Sequence, residues 1–223
     1  MTKQHRLVLI GDSAFAEVAH EYFTCDSDYE VVAFTVEKEH VRRDMFLGLP
    51  VVPFEELEQR YIPADHYFFA AVVYTQQNRL RARLYQEAKA KGFRPASYIS
   101  RQAFVWRDVR LGDHCFIFEN NVIQPRVRIG DNVVLWSGNH IGHHSVIGDH
   151  CFFSSHVVIS GYVDVGESCF FGVNATVGNN VAIGEKSLIG AGALVLADVP
   201  ARKVVSGVWR KAPAASSAAL QQG

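Results

Sequence analysis

The chain has 223 residues, 22 of them basic and 23 acidic, for a formal net charge of −1. So even a balance provides no electrostatic footprint for nucleic acid or an anionic membrane, and neither a nucleic-acid partner nor membrane insertion is expected. The length suits one large or two modest domains, and the opening MTKQHRLVLIG is too polar for a secretory signal, which points to the cytoplasm.

Residues 6–10 (RLVLI) read as a buried strand, followed by the turn GDSAFAE and a helical pattern through about residue 24. Residues 29–35 (YEVVAFT) read as a second strand and 49–52 as a short extended piece. Residues 53–61 open on a proline with Glu55 and Glu56 in the first turn, a helix start. Residues 66–73 (HYFFAAVV) form a third strand, and 76–92 a long basic helix closed by Gly92. Strands alternating with helices imply a small parallel, Rossmann-like α/β domain over residues 1–95. Ligands of such sheets sit beyond the carboxyl ends of the strands, here the GDSAFAE loop and residues 35–38 and 73–77. GFRPAS, residues 92–97, is the candidate linker.

From Val109 the chain divides into fifteen consecutive blocks of six, ending at Asp198. The third residue of every block is Leu, Ile, Val or Phe, and the fourth is Gly in nine of the fifteen. This period specifies a left-handed parallel β-helix of hexapeptide repeats. Each block supplies a short strand whose first and third side chains point inward. Three blocks close one coil, so Ile117, Leu135, Phe153, Phe171 and Ile189, eighteen residues apart, should stack along the interior. Cys115, Cys151 and Cys169 share a first-position column and read as reduced packing residues rather than disulfide partners. Residues 97–108 fit two further blocks, placing the β-helix domain at 96–211. The period stops beyond Pro200, and residues 212–223 are low-complexity and expected to be disordered.

No block carries an insertion, so any active site must be built at the coil corners. His144, His150 and His156 occupy sixth positions, where other blocks carry Asn or Gly, and so read first as corner residues that tolerate positive φ. His143 is different. It is a fifth-position residue in IGHHSVIG, and an imidazole projecting from a corner suits proton abstraction from an amine or hydroxyl. Phe116, Trp136, Val158 and Phe170 fall at outward positions and would be exposed on a lone helix, an argument for a trimer. A subunit-bridging zinc site using the clustered histidines is an alternative that bound metal in purified protein would reveal.

The layout of a small α/β domain followed by hexapeptide coils resembles the bacterial sugar acyltransferases of the sialic-acid O-acetyltransferase and bacillosamine N-acetyltransferase type. The resemblance runs to about residue 210. That family's corner motif, I-x-H-E-x-V-I-G, is matched by Ile141, His143, His144, Val146, Ile147 and Gly148, with His144 in place of the glutamate. The resemblance implies His143 as general base and His144 as its partner. It leaves open what orients His143, with Glu119, Asp149 or a neighbouring subunit's carboxylate as candidates. It further implies a cytoplasmic homotrimer with acetyl-coenzyme A bound between subunits. Gly161, Val173, Gly190, Ala191, Gly192, Trp209 and Arg210, with Lys211, would serve the cofactor, with no metal required. The family's G-x-S-G-H-G turn is here Gly11, Asp12, Ser13, Ala14, Phe15 and Ala16. Gly11, Asp12, Ser13, Phe15, Thr35 and Glu37 are the implied contacts to a nucleotide-linked sugar. The implied reaction is N-acetylation of a nucleotide-linked amino sugar for surface-glycan synthesis by direct attack on the thioester, with the Gly161 N–H as oxyanion donor. O-acetylation of a sugar or sialic acid is the alternative within the class, and a non-catalytic sugar-nucleotide scaffold the alternative outside it.

Overall fold

The computed structural model describes residues 3–210; Lys211 and the low-complexity tail lie outside them. The α/β part is a six-stranded sheet in the order β3-β4-β2-β1-β5-β6. Its strands are β1 (His5–Ile10), β2 (Tyr29–Val36), β3 (Met45–Phe46), β4 (Leu49–Pro53), β5 (His66–Ala70) and β6 (Arg94–Pro95). All pairs are parallel except β3 with β4. Apolar side chains of β1 alternate between the two faces of the sheet. Leu7 and Leu9 join one buried cluster with α1 (Ala14–Asp26), and Val8 and Ile10 join another with α3 (Arg79–Ala90).

Two helix boundaries differ from the expectation. The segment expected as one helix over 53–61 is a short 3-10 turn followed by α2 (Leu57–Arg60). The basic helix begins at Arg79 instead of residue 76, because Gln76, Gln77 and Asn78 all adopt positive φ (54°, 56° and 66°). Asn78 gains a specific contact from that turn: its side-chain amide donates to the Cys169 carbonyl at 3.2 Å.

The hexapeptide blocks wind into a parallel β-helix with three faces of seven, seven and five strands. The register is the eighteen-residue step throughout, from Ile117 on Leu135 to Phe171 on Ile189. Stacking is tightest at Phe153 on Phe171, with centroids 4.4 Å apart and planes 5° from parallel. Cys115, Cys151 and Cys169 are buried and free, and burial pushes the Cys115 thiol up to about 12. Sixth positions carry positive φ from His114 to Gly192, as turn geometry at a corner demands. Coiling begins at Tyr98–Ile99, paired with Phe116–Ile117. It outlasts the sequence period: Val204–Val205 and Val208–Trp209 add a shortened final turn on Leu188–Ile189 and Leu194–Val195.

The first face, which carries Tyr98, Phe116, Val134 and Phe152, is roofed by the α/β domain. Phe116 is fully buried against Phe15, Tyr22, Phe23 and Phe69, and Trp136 and Phe170 pack against the same cluster. This corrects the expectation that these side chains lie open for a second copy. Of the four, only Val158, on the second face, is exposed.

Polar groups pin the same interface. The Ala70 N–H donates to His114 Nε2 (2.7 Å), so His114 Nδ1 carries the proton and donates to Asn132 Oδ1 (3.0 Å). Arg81, fully buried, gives its Nε–H to the same oxygen. Its Nη2 serves the carbonyls of Asn132, His150 and Cys151 at 3.0–3.2 Å. Asn132 Nδ2 in turn donates to His150 Nδ1 (2.9 Å). The Ala70 bond requires neutral His114, because a protonated ring has no free nitrogen to accept it. Burial first, then the Arg81 charge, depresses that imidazole to about 3.

Candidate active site

His143 and His144 stand exposed at the corner joining His140–Ile141 of the second face to Val146–Ile147 of the third. This corner lies opposite the face roofed by the same chain's α/β domain. The His143 N–H donates to Gln124 Oε1 (2.9 Å), fixing the backbone one coil up from Gln124. The two rings meet Nδ1 to Nδ1 at 3.2 Å. Tyr162, one coil further on, stacks on His144 at 4.6 Å and 14° and meets His143 edge-on at 5.2 Å. His143 therefore has an imidazole neighbour held by an aromatic plate where the family motif has a carboxylate. If His143 Nδ1 carries the shared proton, its Nε2 is an unprotonated acceptor.

Neither carboxylate considered as an orienting partner serves His143. Glu119 accepts from Tyr22 and Ser137, and Asp149 Oδ1 accepts the Asp131 N–H.

The His143 ring lies directly over Gly161, whose lack of a side chain leaves it room. A Cβ on Gly161 would sit 2.6 Å from Cε1 and 2.8 Å from Nε2 of His143. Its N–H, expected as an oxyanion donor, is already given to Asn179 Oδ1 at 2.9 Å, so that role is corrected. The remaining cofactor candidates lie elsewhere. Val173 and Gly192 share the corner between the first and second faces, joined by the Gly192 N–H to the Val173 carbonyl (2.8 Å), with Gly190 and Ala191 alongside. Val173, Ala191 and Gly192 are exposed. Trp209 anchors to the Asp198 carbonyl (3.1 Å) at the end of the helix, with exposed Arg210 beside it.

The α/β loop keeps only part of its expected set. Gly11 (φ 117°) must be glycine, since a Cβ would meet the Ala71 carbonyl oxygen at 3.0 Å. Ser13 is exposed at the start of α1 and makes no side-chain capping bond. Asp12 is ion-paired with Arg43 at 3.4 Å. Phe15 is a correction: its ring is buried in the domain interface, 5.7 Å from both Phe116 and Trp136. Thr35 is another, fully buried with its hydroxyl spent on the Val52 carbonyl (2.8 Å). Glu37 is held by both Arg83 Nη atoms at 2.9 and 3.0 Å, and that bonding keeps its carboxyl below the usual range.

Two family models cover the coils. Bacterial transferase hexapeptide (six repeats) matches residues 108–142 and 128–161, and hexapeptide repeat of succinyl-transferase matches 162–197. Residues 108–197 are thus similar to the hexapeptide repeats of bacterial transferases. Among solved structures the chain is similar to PerB from Caulobacter crescentus in complex with CoA and GDP-perosamine. That match has 28% identity and a TM-score of 0.79, over 90% of this chain and 97% of that one. It has the fold of the acetyltransferase domain of PglB from Neisseria gonorrhoeae (22%, TM-score 0.79, 90% and 96%). WeeI from Acinetobacter baumannii also shares it (19%, TM-score 0.70, 92% and 97%). No curated protein matches the sequence.

Among the described residues, no group of three His, Cys, Asp or Glu is placed to hold a metal ion, and no helix is long and apolar enough to cross a membrane. The sequence reading missed Gln124, Tyr162 and Asn179. Tyr162 and Asn179 follow from stepping eighteen residues on from His144 and Gly161; Gln124 lies nineteen residues before His143, in the neighbouring column.

Proposed function

We propose that the chain N-acetylates a nucleotide-linked amino sugar, with acetyl-coenzyme A as donor and His143 as general base. The observation that carries this is the exposed His143 imidazole seated over Gly161, with one ring nitrogen engaged by His144 and the other left to accept a proton. PerB, similar over nearly its whole length, is a complex with CoA and GDP-perosamine, which supports the substrate class.

In the reaction, the amine attacks the thioester carbon while His143 Nε2 takes its proton. The carbon–sulfur bond then breaks, and the same proton passes to the departing thiolate. His144, holding Nδ1, keeps the ring in the tautomer that leaves Nε2 free, and Tyr162 holds His144. The buried cysteines supply no nucleophile, which fits direct transfer. The small, exposed column of Val173, Ala191 and Gly192 suits a pantetheine arm lying along the coils, and Arg210 suits a phosphate. The His143 corner, the Val173 column and the α/β loop occupy different sides of one chain. Neighbouring copies would bring them together, so a cytoplasmic homotrimer is part of the proposal.

The test is release of free thiol from acetyl-coenzyme A in the presence of UDP-, dTDP- or GDP-linked amino sugars. Turnover with one of them is expected. Turnover only with hydroxyl acceptors would favour the O-acetylation reading instead.

A further inference from the structure

Two depressions of opposite charge open on neighbouring corners of the β-helix. The first, of about 350 Å³, is lined by Asp108, Arg110, Arg126, Val127, Arg128 and His144, below the His143 corner. Three arginines against one aspartate give it a net +2, with His144 neutral. The second, of about 390 Å³, opens at the corner between the first and second faces, where Tyr22 of α1 meets Glu119. Its lining sets Glu21, Asp26 and Glu119 against Arg101, a net −2. Pairing within the chain is incomplete in both. Arg126 meets Asp108 (3.1 Å) and Arg101 meets Asp26 (3.3 Å). Among the described residues, Arg110, Arg128 and Glu21 make no ion pair. Arg110 and Arg128 are also ladder neighbours, and like charges so placed repel.

Between the two corners lies the second face. Phe104, Trp106, Val158, Leu196 and Val208 are exposed on it, whereas the third face presents Arg110, Arg128 and Asp164. A second copy therefore gains most apolar contact on the second face. Three copies with that face toward a common axis bring the His143 corner of one against the first–second corner of the next. An axis parallel to the coils keeps each residue at one height in every copy. Glu119 follows Arg110 by nine residues and precedes Arg128 by nine, half a coil each way, or about 2.4 Å. Along the same edge α1 descends from Phe15 on Trp136 (5.7 Å) to Asp26 on the Tyr98 hydroxyl (2.7 Å). Glu21 and Asp26 thus stand at the height of the arginines.

We propose that the arginine depression of one copy docks on the acidic cleft of the next, with Arg128 meeting Glu21. The inference rests on the trimer in the function proposed above and names the contact that sets its register. In that register the Gly11–Ser13 loop, at the Trp136 end of α1, stands level with His143 of the neighbouring copy, because Trp136 and His143 are seven residues apart. Each exposed pair contributes little alone. Complementary patches fix orientation and partner choice more than raw affinity.

Sedimentation equilibrium of the full chain tests this, comparing wild type with Arg128→Glu and with the charge swap Arg128→Glu/Glu21→Arg. Both residues are exposed, so the variants should fold, which circular dichroism checks. Lys186→Glu, on the corner between the third and first faces, makes the same change in net charge away from the contact. A trimer is expected for wild type, loosened by salt. Arg128→Glu should need at least tenfold more protein to assemble. The swap should recover most of that loss, and Lys186→Glu should assemble like wild type. A monomeric wild type overturns the inference. So does a trimer indifferent to Arg128→Glu, one that the swap fails to rescue, or one that Lys186→Glu weakens equally. Because the measurement needs no turnover, a rescued trimer that acylates no amine would sustain this contact while refuting the proposed reaction.

Discussion

Acidification should unlock the two domains from each other through His114. In the folded chain this imidazole accepts the Ala70 N–H, donates to Asn132 and is fully buried. It stays neutral down to about 3, against 6.5 for an unperturbed histidine. Between those limits the unfolded chain binds one more proton than the folded one, so stability rises with pH and falls as pH is lowered. Each pH unit costs about 1.4 kcal/mol. From pH 8 to pH 4.5, His114 alone removes on the order of 2–3 kcal/mol, a substantial part of the ordinary stability of a domain. His150, also depressed by burial first, acts in the same direction. The assay is urea unfolding followed by tryptophan fluorescence at fixed protein concentration across that pH range, for wild type and His114→Asn. Asparagine suits the left-handed turn at this position, as at Asn120 and Asn132. The variant should be weaker at pH 8 but lose stability on acidification with a slope smaller by about one proton. Parallel slopes for the two proteins would refute this account of His114.

Three further outcomes follow from packing and space. Gly161→Ala should displace the His143 ring and cost on the order of a hundredfold in turnover, with unchanged circular dichroism; full activity would mean that the ring position does not matter. Phe153→Ala removes half of the tightest stacked pair inside the coils and should cost about 3–5 kcal/mol in urea unfolding. Phe15→Ala should cost a similar ~3–5 kcal/mol and expose the 92–97 segment to limited proteolysis, since Phe15 packs on both domains; unaltered cleavage would place the interface energy elsewhere.

The coils were legible because one inward residue per block is apolar without exception, a signal that depends only on local period. Corner φ values were legible for the same reason, in the Asn, Gly and His of the sixth position. What covers Phe116 and Trp136 was not legible: an outward aromatic is equally suited to a second copy or to the chain's own α/β domain, and only tertiary packing decides. Phe15 and Thr35 failed as ligand contacts on the same ground, since residues beside a strand end are buried or exposed according to what roofs them. Left-handed φ at Gln76–Asn78 overrode the helical pattern there, because Asn78 is drawn to the Cys169 carbonyl. The arginine depression and Tyr162 were within reach of the sequence. Stepping by eighteen along the corner column, as along the interior one, lines up Asp108, Arg126, His144 and Tyr162.

The central claim is that His143 takes the acceptor's proton. Its most direct test is the acyl-transfer rate of His143→Ala at saturating acetyl-coenzyme A and nucleotide amino sugar, with binding of both confirmed independently. The account predicts a fall of about 10²–10⁴-fold in turnover with both ligands still bound. A variant that turns over at the wild-type rate would contradict it and move the base away from this corner.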